Sequence, residues 1–143
     1  MVAMAGYSGT PLAQKLGLKD GSRVLFVDLP MSLADLVHAR AYSEARTISH
    51  QLLGKEQGPY ACVQVFTAAR LVLETFGQKL RNLIAPDGMV WVSWPKKTSK
   101  VASDLNEDGV REILLPLGLV DVKVCAVDET WSGLKLVIRK GLR

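Results

Sequence analysis

The sequence predicts a single α/β domain: a mostly parallel sheet of about six strands, helices on both faces, and the last strand antiparallel. Nearly continuous apolar runs at Arg23–Leu29 (RVLFVDL), Ala61–Thr67 (ACVQVFT) and Met89–Trp94 (MVWVSW) match strands buried on both faces, as central parallel strands are. Helical patterns separate these runs, and strands alternating with helices pair in parallel through crossovers. The last two strands, in LVDVKVCAVD and LKLVIRK, are joined only by ETWSG, a hairpin-like connection that reverses direction.

Each element has a local reason. Thr10 and Pro11 are an N-cap and a first-turn proline, opening a short helix (LAQKLG) that Gly17 stops. KDGS is a turn, and Pro30 ends the first strand. Ser32 can cap a helix with Leu33, Leu36 and Val37 on one face. The segment EARTISHQLL, residues 44–53, fits two structures: Ile48, His50 and Leu52 alternate with Thr47, Ser49 and Gln51 as in a strand, yet it could continue the helix. The strand is preferred. GKEQGP is a loop. ARLVLETFGQKLRNLI sets Leu71, Val72, Phe76, Leu80, Leu83 and Ile84 along the inner face of an amphipathic helix. Pro86–Gly88 is a tight turn, and PKKTSKVAS is a loop. Asp104 and Glu107 resemble a capping box ahead of GVREILLPLG, which Gly118 ends.

Composition suits one folded domain over residues 1–143, with residues 1–10 a flexible or lid-like N-terminus. Hydrophobic residues are 48% and charged residues 22% of the 143, which argues against disorder. No apolar run approaches the ~20 residues of a membrane span. The first residues lack a charged start followed by an apolar core, so a secretory signal is not expected and a cytoplasmic location is. The 18 Lys and Arg against 14 Asp and Glu give a net charge of +4. That mild excess permits anionic partners, but no RNA-recognition or helix-turn-helix signature is present, and nucleic acid is not the expected partner. Cys62 and Cys125 lie in apolar runs without metal-ligand spacing; they are expected as reduced core thiols, with a structural disulfide as the alternative.

The order of elements resembles that of class I S-adenosylmethionine-dependent methyltransferases. LGLKDGSRVLFVDLP is similar to the approach to their first strand, LRNLIAPDGMVWVSW to their fourth helix, turn and fifth strand, and LGLVDVKVCAVDETWSGLKLVIRK to their C-terminal pair. The resemblance implies a three-layer, Rossmann-like, methyltransferase-like fold, with S-adenosylmethionine as the cofactor to consider. The chain departs from that family where the cofactor would sit. Asp28 is followed by Leu29-Pro30-Met31-Ser32 rather than a glycine-rich turn. The second strand, ending in Gln51-Leu52-Leu53, offers no acidic residue for a ribose. A trimmed scaffold without a cofactor is therefore expected, and S-adenosylmethionine is the alternative. YSGTPLAQKLG, WVSWPKK and DETWSGLKLVIRK also resemble a family of small bacterial proteins, a domain of unknown function that carries no activity over.

Open α/β sheets bind ligands beyond the carboxyl ends of their strands, near the point where strand order reverses. That edge gathers the candidate ligand residues Asp28, Trp94, Lys96, Lys97, Asp128, Trp131 and Ser132. Lys96 and Lys97 could grip a phosphate or carboxylate, or pair with Asp128 and Glu129. Trp94 and Trp131 could stack on a planar ligand, or cover one end of the core. Tyr7, Ser8 and Thr10 could form a lid. His38 and His50 lack partners at metal-ligand spacing, Ser93 has no G-x-S-x-G setting, and neither a metal nor a catalytic residue is assigned. Arg139, Lys140 and Arg143 form a small basic tail.

Three functions compete: a non-catalytic module for a small anionic or planar ligand or a protein partner; a small methyltransferase with an atypical loop, Asp28 orienting the cofactor and substrate passing over Trp94 and Trp131; and a nucleic-acid-associated protein using Lys96, Lys97, Lys100 and the basic tail. The strand in EARTISHQLL would lie at an open sheet edge, where a second copy could pair as a homodimer.

Overall fold

A computed structural model describes residues 11–143. Six strands make one sheet: β1 (Arg23–Val27), β2 (Glu44–Ile48), β3 (Tyr60–Phe66), β4 (Ile84–Pro95), β5 (Leu119–Ala126) and β6 (Trp131–Ile138). Their spatial order is β2-β1-β3-β4-β6-β5. β1 pairs in parallel with β2 and β3, and β3 with β4, while β6 runs antiparallel to both β4 and β5. The mostly parallel sheet with a reversed last strand is the architecture expected from the alternation of elements.

Both faces are covered. Helices α2 (Arg70–Leu83) and α3 (Glu107–Leu114) pack Leu73, Leu80, Val110 and Leu114 on Leu25, Val27, Val63, Val90 and Val92. On the other face α1 (Leu12–Lys15) and a 3₁₀ helix, Met31–His38, place Leu12, Leu16 and Leu36 with Val24, Phe26 and Trp91. Consecutive β1 residues thus enter opposite cores, which is why the strand is apolar throughout. Trp91 Nε1 donates to the Leu16 carbonyl at 2.9 Å and ties α1 to the sheet.

The segment 44–53 is a strand only as far as Ile48, followed by a 3₁₀ helix, His50–Lys55. β1 ends at Val27, opposite Ile48, so no ladder continues, and the Ser49 hydroxyl accepts from the Gln51 amide instead. Ser32 does not cap the Met31–His38 helix, whose N-cap position is Pro30. Nor do Asp104 and Glu107 form a capping box. Asn106 Oδ1 caps α3 by accepting from Gly109 N at 2.8 Å, while Asp104 Oδ1 accepts from Arg70 N at 2.7 Å and caps α2 across space. Leu71 points outward from α2 at 68% exposure; Leu73 and Gly77 take the inner face. Pro86–Gly88 is an irregularity within β4, where the register jumps between Tyr60↔Ile84 and Cys62↔Met89.

Both cysteines are free thiols, Cys62 buried and Cys125 half-buried; burial pushes the Cys62 thiol up to about 12. No helix among the described residues is long and apolar enough to cross a membrane.

Candidate functional site at the carboxyl edge of the sheet

The strand order reverses at β1, which connects outward to β2 on one side while β3 lies on the other. Asp28 leaves β1 with φ 54, the left-handed conformation that costs most residues ~1–2 kcal/mol and that Asp tolerates better than others. The Asp28 amide donates to the Ile48 carbonyl at 2.9 Å. Its Oδ1 accepts from His50 N at 3.1 Å, and its Oδ2 lies 2.7 Å from His50 Nδ1. In a neutral ring that contact holds the proton on Nδ1 and leaves Nε2 as an acceptor. Phe76 of α2 stands edge-on to the imidazole, with ring centroids 6.2 Å apart. The ends of β1 and β2 are thus stitched by one carboxylate, and His50 belongs to the edge. It is absent from the sequence candidates because the Ile48-His50-Leu52 alternation hides the strand's end. No metal-holding group of His, Cys, Asp and Glu occurs among the described residues.

At β3 the chain turns through Thr67, whose amide donates to Ser93 O and whose hydroxyl accepts from Ala69 N, both at 3.0 Å. At the end of β4, Trp94 pairs with Ser132 and Pro95 with Trp131, so WPKK and DETWSG are neighbours. Lys96 N donates to Thr130 O at 2.8 Å. Asp128 Oδ1 accepts from the amides of Thr130 at 2.8 Å and Trp131 at 2.7 Å, holding the β5–β6 turn. It makes no ion pair with Lys96 or Lys97, and neither does Glu129, among the described residues.

The two tryptophans do not share a ligand face. Trp94 is 6% exposed and packs in the core under α2 and α3. Trp131 lies on the opposite face, edge-on to Phe66 at 5.4 Å. Residues one apart along a strand point to opposite sides, and the Pro95↔Trp131 register separates the pair. Substrate passing over both, as expected from the sequence, does not fit this arrangement. Tyr7, Ser8 and Thr10 lie outside the described residues.

After β4 a tight turn presents three ammonium groups. Ser99 donates to Lys96 O through its amide (3.0 Å) and hydroxyl (2.6 Å), Lys100 N donates to Lys97 O at 3.2 Å, and Lys100 takes φ 63. A groove of about 480 Å³ opens beside this turn, lined by Trp94, Lys96, Lys97, Lys100, Asp104 and Asn106, among others.

No protein-family model and no curated protein sequence matches the chain. Solved structures do match its fold. The magnesium protoporphyrin IX methyltransferase ChlM of Synechocystis PCC 6803, solved with bound SAM, aligns with a TM-score of 0.63 at 17% identity, over 90% of this chain and 74% of that one. A TehB-like SAM-dependent methyltransferase from Corynebacterium glutamicum aligns with a TM-score of 0.63 at 9% identity, over 95% and 91%. Fibrillarin from Aeropyrum pernix, with natively bound S-adenosyl-L-methionine, gives 0.56 at 14% identity, over 88% and 73%. The chain therefore has the Rossmann-like, methyltransferase-like fold. The narrower likeness to a small bacterial family gains no support from a family model.

Proposed function

We propose that the chain binds S-adenosylmethionine over the carboxyl ends of β1 and β2 and acts as a small methyltransferase. The observation that carries this reading is Asp28. At φ 54 it makes the left-handed exit from β1 that a glycine otherwise supplies, and it meets His50 at the end of β2. The residues suit the group's chemistry: a carboxylate and an imidazole acceptor stand together where a nucleoside's hydroxyls need partners. Structures that share the fold hold S-adenosylmethionine, which supports it as the group to consider. When bound, that cofactor supplies an electrophilic methyl group on a sulfonium.

In this reading His50 Nε2 accepts from a ribose hydroxyl, and Asp28 fixes the tautomer that makes it an acceptor. The Asp28 charge also favours a cationic ligand nearby. The expectation that no cofactor is bound, which rested on the missing glycine-rich turn and on a second strand without an acidic end, gives way to this one because structures that share the fold hold S-adenosylmethionine and His50 supplies a polar group at the end of β2.

One observation favours the non-catalytic module instead. Leu29 and Pro30 carry side chains where the backbone would approach a cofactor most closely, and the Asp28 carboxylate is already engaged. Calorimetric titration with S-adenosylmethionine and S-adenosylhomocysteine separates the two. Micromolar binding that His50→Ala weakens by about tenfold, the loss of one hydrogen bond of ~1.4 kcal/mol, supports the cofactor reading. Absence of binding at millimolar ligand removes it and leaves the module.

A further inference from the structure

We propose that the groove beside Lys96, Lys97 and Lys100 binds a small, multiply anionic molecule, a phosphate ester or polycarboxylate, and so selects the acceptor substrate. Its role as acceptor site rests on the cofactor reading above; the anion binding does not.

The first argument is charge without partners. Arg23, Arg46, Arg70 and Arg111 each sit within 3.2 Å of a carboxylate. No lysine among the described residues is in an ion pair, and three of them, Lys96, Lys97 and Lys100, line one cavity together. The carboxylate that shares the cavity, Asp104, spends Oδ1 on the α2 amide of Arg70. Three like charges lining one cavity repel each other, and a ligand carrying two or more negative charges relieves that repulsion.

The second argument is presentation. The lysines stand on a hydrogen-bonded turn fastened to the β5–β6 connection by Lys96 N, so their backbone is ordered before a ligand arrives. The floor is apolar, formed by buried Trp94 and Leu105, and the volume of about 480 Å³ is that of a small-molecule site.

The third argument concerns size. Acids bound the positive patch: Asp104 in the cavity wall, Glu107 and Asp108 at the start of α3, and Asp128 and Glu129 in the adjoining turn. An extended polyphosphate backbone would run into them, whereas a compact anion stays inside. The acidic first turn of α3 also opposes anion binding by that helix end, leaving the ammonium groups to do it. β4 lies two strands from β1, about 10 Å along the edge, so a molecule anchored at the lysines reaches toward the crevice at Asp28.

The experiment is calorimetric titration of the whole chain with inorganic pyrophosphate in low-salt buffer, beside the S-adenosylmethionine titration. Pyrophosphate is expected to bind with a submillimolar Kd, weakened about tenfold or more in Lys96→Ala with Lys97→Ala, two charge-assisted contacts being lost. The charge-matched control Lys55→Ala with Lys140→Ala is expected to stay within about twofold, and urea midpoints check that both variants fold. No pyrophosphate binding by the parent chain overturns the proposal, even if S-adenosylmethionine binds, in which case the cofactor reading stands alone. Lysine-dependent pyrophosphate binding without S-adenosylmethionine binding keeps the anion site and removes the cofactor reading. An equal loss in the control overturns the site in favour of bulk charge. An RNA oligonucleotide that binds through the same lysines more than about a hundredfold tighter than pyrophosphate overturns the small-molecule class.

Discussion

The two ends of the sheet spend their charges differently. At the amino end the charges nearest the core, Arg23, Arg46 and Glu56, are engaged. Arg23 pairs with Glu44, donates to the carbonyls of Gln57 and Pro59, and lies 4.0 Å over the ring of Tyr60. Glu56, 8% exposed, accepts from Arg46 and from the Tyr60 hydroxyl. Burial pushes that hydroxyl up to about 12, with Glu56 adding to the effect. At the carboxyl end Lys96, Lys97 and Lys100 are unpaired, His50 Nε2 has no partner, and the buried Ser93 Oγ is unsatisfied among the described residues. Closed polar networks hold a fold together; open ones are what a ligand can complete. The fold class predicts a site at the carboxyl end, and the proposed site uses the open groups found there.

The largest test of this contrast is Trp94→Ala, because Trp94 lies beneath the open groove yet belongs to the closed core. Deleting a buried tryptophan is expected to cost about 3–5 kcal/mol, read from urea unfolding. A loss below about 1 kcal/mol would mean that the indole is a ligand wall after all, and the assignment of groove and core would have to be redrawn.

Next comes the amino end. Glu56→Gln removes the charge that Arg46 and Tyr60 share, at an expected cost of about 2 kcal/mol at neutral pH. The hydrogen bond from Arg46 holds the Glu56 carboxyl below its ordinary value of 4.5, against an opposing push from burial. A carboxyl lowered in the folded state contributes stability that is complete above the unfolded value and is lost as pH falls through the folded one. The gap between parent and variant should therefore be constant above about pH 5.5 and close in acid, below 4.5. A gap that persists unchanged to pH 3 would show that packing, not charge, holds this end.

Asp28 stands between the two behaviours, closed toward His50 and placed at the open end. Asp28→Ala loses two hydrogen bonds and keeps a left-handed φ without Asp's tolerance for it, an expected cost of about 2 kcal/mol. Asp28→Gly relieves the backbone and should recover part of that cost. If the glycine variant is no more stable than the alanine variant, the conformation carries no strain, and the resemblance of this turn to a glycine exit loses its physical basis.

How far the sequence carries a reader depends on which physics sets each feature. β1, β3 and the core of β4 are legible because both faces are buried, and only apolar residues satisfy that. The end of β2 is not, since Ser49-His50-Gln51-Leu52 continues an alternating pattern after β1 has run out of ladder opposite Ile48. Asp104 has the spacing of a local cap and serves another helix instead, which only tertiary contact decides. WPKK and DETWSG are legible as neighbours from topology, but the separation of Trp94 from Trp131 needs the register of two strands. Asp28 stands out in the sequence because a glycine is missing; its partner does not, because 22 residues separate them and no motif joins them.

The smallest expected effect sharpens the contrast most. Lys96→Ala with Lys97→Ala should change unfolding free energy by no more than about 0.5 kcal/mol, since neither side chain has a partner to lose. Removing two like charges from a crowded turn relieves repulsion, so a slight gain is the favoured sign. A loss above about 1 kcal/mol would reveal a contact that makes these lysines structural, and the carboxyl end would then be as closed as the amino end. Stability unchanged while pyrophosphate affinity falls is the signature of residues kept for a ligand, because nothing in the fold needs them where they are.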